Sequence, residues 1–179
     1  MAFDYIDLFD TGSLDMRAIL AGECEVFRFT CHNDFWPEQG WADVKVSLVN
    51  MRGQITNNAG YIRLEGEISV DFRTPCARCA AELERTLTFR VEKDIVVQDQ
   101  LNNEEDGDDY LIVTNGSLNL RTLMEEEVCL QFPSRILCKE DCRGLCSKCG
   151  KNLNEGPCSC PEREIDPRLA PLSKWKEKT

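Results

Sequence analysis

Histidine occurs once in 179 residues, and no stretch of the chain stays apolar for more than a few positions. A bilayer-spanning helix needs about 20 consecutive apolar residues, so none is expected. Basic side chains are in deficit, 21 against 32 acidic, giving a formal net charge of −11. That sign argues against a phosphate-binding surface spread over the molecule and against nonspecific attachment to an anionic membrane. The opening Met1-Ala2-Phe3-Asp4-Tyr5 lacks the basic start and apolar stretch of a secretory signal, so the expectation is a soluble, cytoplasmic protein. Also missing are a phosphate-cradling glycine loop, a carboxylate metal motif and any nucleophile with a base nearby. The lone His32 follows Cys31 beside Asn33, Asp34 and Pro37, and reads as an exposed loop residue. Nothing here makes a case for an enzyme or for a small-molecule substrate.

Cysteine runs the other way. There are eleven, six of them between Cys138 and Cys160. The odd total and the lack of an export signal point to metal binding in a reducing compartment and away from disulfides. Charge also divides the chain. Residues 135–179 hold 10 basic and 7 acidic side chains, whereas residues 1–134 hold 11 and 25. The composition changes at Pro133-Ser134, which places a boundary between an acidic module, 1–134, and a cysteine-rich module with a basic tail, 135–179. With 42% apolar residues, a chain of this length buries roughly 70% of its unfolded surface and supports a sizeable core.

The first module reads mostly as strand. Glu25 to Phe29 is a short mixed run, and Val44, Val46 and Leu48 alternate with Lys45 and Ser47. From Tyr61 to Arg73, Ile62, Leu64, Ile68, Val70 and Phe72 share one parity, while Arg63, Glu65, Glu67, Ser69 and Asp71 take the other. That period of two predicts a strand with one buried and one wet face. Leu83, Leu87, Phe89 and Val91 repeat the pattern, and the Pro75-Cys76-Ala77-Arg78-Cys79 stretch between the two runs predicts an antiparallel hairpin or neighbouring barrel strands. Gln98 to Asp109 carries six acidic residues and no basic one, the composition of a solvated loop. Tyr110 to Val113 then reads as strand and Asn115-Gly116 as a tight turn. Leu120, Leu123, Met124 and Cys129 or Leu130 fit one helical face, with Asn119 as N-cap and Pro133 as terminator. The expected class is α+β: a mainly antiparallel, barrel-like β domain with one helix, followed by a small Cys-rich zinc module.

The spacing in that module is Cys138-x3-Cys142-x3-Cys146-x2-Cys149-x8-Cys158-x-Cys160. In Cys146-Ser147-Lys148-Cys149-Gly150, two thiolates three positions apart grip one ion, and the glycine lets the backbone curl so that amide N–H groups face sulfur. Cys158 and Cys160 supply a second pair, and Arg143, Lys148 and Lys151 offset the charge of four thiolates. A structural zinc is the expected cofactor, held by four of the six. The first choice is Cys146, Cys149, Cys158 and Cys160; in the competing set Cys138 and Cys142 replace the last pair. Four thiolates leave no open coordination position, so hydrolytic chemistry is not expected. Cys76-Ala77-Arg78-Cys79 reads first as a structural turn, next as a second metal half-site and last as a redox pair, because its flanks are strands and not a thioredoxin-like context. Cys24, Cys31 and Cys129 read as small core residues.

Cys138-Lys-Glu-Asp-Cys142-Arg-Gly-Leu-Cys146-Ser-Lys-Cys149-Gly-Lys-Asn-Leu-Asn154, followed by Cys158-Ser-Cys160 and Ile165-Asp166-Pro167-Arg168-Leu169, resembles the tail of the bacterial YceD family, also called DUF177. The Cys76-x-Arg78-Cys79 turn between strands is similar to that family's upstream signature. The resemblance covers roughly residues 60–172. It implies a role in accumulation of large-subunit ribosomal RNA, hence in ribosome assembly, with no known catalytic activity. It also implies metal-site positions at Cys138, Cys142, Cys146, Cys149, Cys158 and Cys160, and signature residues at Asp166, Pro167 and Arg168, which also fit a final helical turn with Pro167 in first position. Two partner routes follow from charge. The acidic module holds a basic ribosomal protein or a large-subunit precursor by complementary charge, or the basic module, with Arg168, Lys174, Lys176 and Lys178, contacts RNA. The first uses more of the charge and is the expected one. The alternatives from other classes are a zinc-thiolate redox sensor, which peroxide would strip of metal, and a transcription-associated zinc-ribbon adaptor, which the low overall basicity disfavours.

Overall fold

The computed structural model of the chain describes residues 6–9, 12–33, 43–98 and 110–161. In chain order the elements are β1 (Ile6–Phe9), β2 (Ser13–Asp15), α1 (Arg17–Leu20), β3 (Val26–Asn33), β4 (Lys45–Asn58), β5 (Tyr61–Pro75), β6 (Glu82–Val97), β7 (Tyr110–Val113), β8 (Ser117–Asn119) and α2 (Leu120–Gln131). Strands β3 to β6 form an antiparallel meander, β1 and β7 add in parallel at its two edges, and β2 pairs with β8 in a separate ribbon. The mainly antiparallel reading holds, but the barrel-like one is corrected: the order β1-β3-β4-β5-β6-β7 is an open sheet whose edges do not meet. Each edge strand has only four residues, against 14 to 16 in β4, β5 and β6. Closure needs strands of matched length and stagger, which these edges cannot supply.

The period-two pattern sets the two faces. Ile62, Leu64, Ile68, Val70 and Phe72 are all buried, and Glu65, Glu67 and Arg73 on the other parity are exposed. The gap in the apolar parity falls at Gly66, which pairs with Gly53 of β4. A Cβ on Gly53 would lie 2.8 Å from the Phe29 ring, and one on Gly66 would lie 3.1 Å from Cε of Met51. The two glycines thus make the room that fully buried Phe29 and Met51 fill. In β4 the Val44/Val46/Leu48 alternation breaks at a register shift between Val46 and Leu48. A bulge inserts one residue and flips the parity. Leu48 is therefore exposed, and Val49, Met51 and Ile55 carry the core face.

Helix α2 starts and stops as expected. The Asn119 side chain accepts the N–H of Thr122 at 3.2 Å, and the helix ends at Gln131, before Pro133. Leu120, Leu123 and Met124 are buried, but the face continues through Glu127 and Val128, while Cys129 and Leu130 point outward. The core assignment of Cys129 is corrected accordingly, since one step beyond Val128 turns a helical side chain by about 100°. Cys24 and Cys31 are buried. Inside the packed helix face, Glu127 pairs with Lys93 of β6 at 3.0 Å and accepts from Gln131 at 2.7 Å. Phe132 closes that end, its ring 5.1 Å from that of Phe72 in an edge-on contact.

The reading of His32 as a loop residue is also corrected. It lies in β3, half-buried, with Nδ1 2.5 Å from Asn50 Oδ1 on the neighbouring strand. The acidic run after Gln98 and the Asp166-Pro167-Arg168 signature lie outside the described residues. No helix among the described residues is long and apolar enough to cross a membrane.

Candidate metal centres

Strands β5 and β6 turn over through Cys76-Ala77-Arg78-Cys79-Ala80, and the tail turns over through Cys146-Ser147-Lys148-Cys149-Gly150. The two turns are built alike. In each, the residue after the second cysteine sits at positive φ, 56° for Ala80 and 74° for Gly150. Its N–H donates to the carbonyl of the first cysteine, at 2.9 Å in both cases. That curl aims backbone N–H groups at the first sulfur: those of Arg78 and Cys79 at Cys76, and those of Lys148 and Cys149 at Cys146. Burial opposes ionisation of Cys76, yet the N–H groups of Arg78, Cys79 and Cys138 outweigh it and draw its thiol down to about 6. Cys146 falls to about 6 as well, led by the N–H of Cys149 and then that of Lys148.

The inner cluster joins the first turn to the start of the tail. Sulfur of Cys76 lies 3.8 Å from that of Cys142, and sulfur of Cys79 lies 3.6 Å from that of Cys138. Cys76, Cys79 and Cys142 are buried, with Leu83 and Leu137 packed around them. Polar donors reach the sulfurs too: the Cys138 N–H meets Cys76 at 3.3 Å, and Asn154 Nδ2 meets Cys142 at 3.4 Å. The Asn154 amide, helped by the Gly144 N–H and opposed by burial, lowers the Cys142 thiol. Cys138 takes the complementary role and is pushed up to about 12, first by sharing a hydrogen bond with Cys142 and then by burial.

Around these sulfurs the backbone is tied across as well. Ala77 N–H donates to Ile136 carbonyl at 2.9 Å, Leu145 N–H to Arg78 carbonyl at 3.0 Å, and the Arg78 guanidinium to Cys142 carbonyl at 2.8 Å. Gly144 sits at φ 75°, where a Cβ would come within 2.9 Å of the Arg78 carbonyl.

The outer cluster is local to the tail. Cys146, Cys149, Cys158 and Cys160 come together, with Cys146 and Cys158 sulfurs 3.4 Å apart. The Cys146 N–H donates to the Lys151 carbonyl at 2.8 Å, and Lys151 Nζ reaches the Pro157 carbonyl at 2.9 Å. Cys149 is exposed and the other three are half-buried. A hydrogen bond shared with Cys149, and then burial, push Cys160 up to about 12.

Within each cluster the four sulfurs all lie within 4.8 Å of one another, and either set could hold a metal ion. Four thiolates about 2.3 Å from a tetrahedral zinc stand about 3.8 Å apart, close to the spacings found here. All eleven cysteines are free. The structure brings Cys146, Cys149, Cys158 and Cys160 together in one cluster and places Cys138 and Cys142 in the other. The partners of Cys138 and Cys142 are Cys76 and Cys79, a pairing that residue spacing alone did not reveal. The available signal was grammatical: two C-x-x-C turns, each followed by a small residue able to curl, and two leftover cysteines with no partner pair.

An open, mainly antiparallel sheet packed against helix α2, with two clusters of four cysteines, defines a small cysteine-clustered α+β protein. Residues 64–176, more than half of the chain, match the family described as Large ribosomal RNA subunit accumulation protein YceD, and the chain belongs to that family. It is 24% identical over 131 residues to the uncharacterized protein YlbN of Bacillus subtilis, covering 73% of this chain and 75% of that protein. It is 34% identical over 61 residues to the chloroplastic Large ribosomal RNA subunit accumulation protein YCED homolog 1 of Arabidopsis thaliana, covering 34% of this chain and 18% of the relative. An uncharacterized protein of Mycobacterium tuberculosis is 27% identical over 127 residues, 70% of this chain and 61% of its own length. No solved structure matches the chain.

Proposed function

We propose that this protein is a non-catalytic assembly factor that supports accumulation of large-subunit ribosomal RNA. The observation that carries the reading is the family match, which runs over the β5–β6 hairpin, helix α2 and both cysteine clusters. The reading assigns two modules, 1–134 for partner binding and 135–179 as a metal-held tail. In the tail, Cys146, Cys149, Cys158 and Cys160 would hold a structural zinc. The donor set fits: four sulfurs at tetrahedral spacing, with N–H groups aimed at Cys146. When bound, the ion would supply folding energy and a closed thiolate shell, with no position left for a reacting water.

The partner is a basic ribosomal protein, free or within a large-subunit precursor. Residues 1–134 carry a surplus of acidic side chains that repels RNA phosphates. On the exposed face of β5 and β6 part of that surplus is offset locally. Arg63 pairs with Glu65, Glu92 and Asp94, and Arg73 pairs with Glu84. The densest part of the surplus is the segment joining β6 to β7, with six acids and no base over residues 98–109. The test is the sedimentation of the tagged endogenous protein across a ribosome gradient at low and moderate salt. Salt-sensitive association with large-subunit precursors, absent from mature particles, is expected. Salt-sensitive binding to naked large-subunit RNA, with none to ribosomal proteins, would move the contact to the basic tail. A profile confined to the top of the gradient, with no ribosomal protein attached, would overturn the reading.

A further inference from the structure

The inner cluster uses sulfurs from two parts of the chain that have no sequence proximity. Cys76 and Cys142 are 66 residues apart, and Cys79 and Cys138 are 59 apart. Cysteines that merely fill a core resemble Cys31, which is fully buried among apolar side chains of the sheet. The inner four differ in two respects. Their sulfurs converge on one point, all within 4.8 Å. Donors are also aimed at sulfur: the Cys138 N–H at Cys76 and the Asn154 side-chain amide at Cys142. Amide donors pointing at sulfur suit a thiolate, and buried thiolates in an apolar setting need a cation to offset them. Disulfides do not answer the geometry, because the sulfurs stand well beyond the bonded distance of about 2.05 Å.

We propose that Cys76, Cys79, Cys138 and Cys142 form a second metal site of the zinc-thiolate class, separate from the outer one, which clamps the tail onto the β5–β6 turn. The clamp exists only when turn and tail meet, so metal binding and tail docking are one event. The backbone ties around it, from Ala77 to Ile136 and from Leu145 to Arg78, follow the same seam. The outer site then hangs from the clamp through the Leu153 N–H to Gly144 carbonyl bond at 2.9 Å and the Asn154 contact with Cys142. The inference stands apart from the ribosomal reading, because metal content and tail protection test it without any partner.

The test begins with the intact chain: cobalt(II) titration of the metal-free protein, followed by tetrahedral cobalt–thiolate absorption, with zinc content read by native mass spectrometry. Saturation at two equivalents is expected, and saturation at one overturns the proposal. Two double variants then separate the sites. C76S/C79S should keep one ion and leave residues 135–145 open to protease. C158S/C160S should also keep one ion but leave those residues protected. Loss of both ions or of neither from C76S/C79S would refute a separate clamp. Should C76S/C79S fail to fold, the cobalt endpoint of the unmodified chain still decides.

Discussion

The two halves of this molecule differ in how much apolar surface they bury. Up to Phe132 the chain buries a continuous apolar core, with Phe29, Met51, Leu64, Ile68, Phe72, Leu120 and Met124 essentially out of water. From Arg135 to Pro161 only Cys142 and Gly144 are buried. Apolar burial contributes about 25 cal/mol per Å², a source of stability on which the sheet half draws heavily. The tail has almost no such area, while a structural zinc contributes about 10–16 kcal/mol to small modules. Within the tail the contrast repeats on a smaller scale. The inner cluster is buried and tied to the sheet, and the outer cluster is more exposed and local. On the proposed reading, stability in one half is a property of pattern, and in the other a property of six tail sulfurs together with Cys76 and Cys79 of the β5–β6 turn.

Substitutions in the core should separate the halves. Phe72→Ala removes a fully buried ring and its contact with Phe132, and should cost about 3–5 kcal/mol in urea unfolding followed by circular dichroism. Metal content of the folded variant should not change; a lost ion would show that the halves are not separable. Glu127→Ala strands the partly covered Lys93 ammonium. It should cost about 2 kcal/mol, less than a fully buried pair because Lys93 retains 30% side-chain exposure. Asn119→Ala removes the cap on α2 and should cost about 1 kcal/mol.

The smallest effect on stability, and the sharpest on the tail, concerns protons. In the folded tail the N–H groups of Cys149 and Lys148 draw the Cys146 thiol down to about 6, whereas a hydrogen bond shared with Cys149, and then burial, push Cys160 up to about 12. The sign for stability follows. A thiol lowered from 9 to about 6 favours the folded tail fully above pH 9, and that contribution fades as pH falls towards 6. Amide protection of residues 146–160, read by hydrogen–deuterium exchange, should therefore weaken from pH 9 to pH 6, and protection unchanged over that window would remove this contribution.

How much of this was legible in the sequence depended on range. The β5–β6 hairpin was readable because a period of two ran from Ile62 to Phe72 and again from Leu83 to Val91, on either side of a turn. The ends of α2 were readable because Asn119 and Pro133 act locally. The phase of α2 was not, since Cys129 and Leu130 are as apolar as Val128 and only the packed partner chooses among them. The Val46/Leu48 bulge was hidden for the same reason: alternation states a parity and gives no warning where it flips. The edge strands β1 and β7 pair in parallel over four residues, too few for a period to show, so the open sheet was read as barrel-like. At the candidate site the outer tetrad was visible in short spacings. The inner one was not, because it joins sulfurs about 60 residues apart: Cys76 and Cys79 read first as a turn, and Cys138 and Cys142 as an alternative pair for the tail's own site.

The central claim is that the sheet half folds by burial and the tail by metal. Hydrogen–deuterium exchange of the full chain, before and after a strong chelator, tests it directly. The account predicts that amides of β4, β5, β6 and α2 stay protected throughout, while those of residues 135–161 lose protection when metal is removed. Protection of the tail that survives complete metal removal, or a sheet that opens together with the tail, would contradict it.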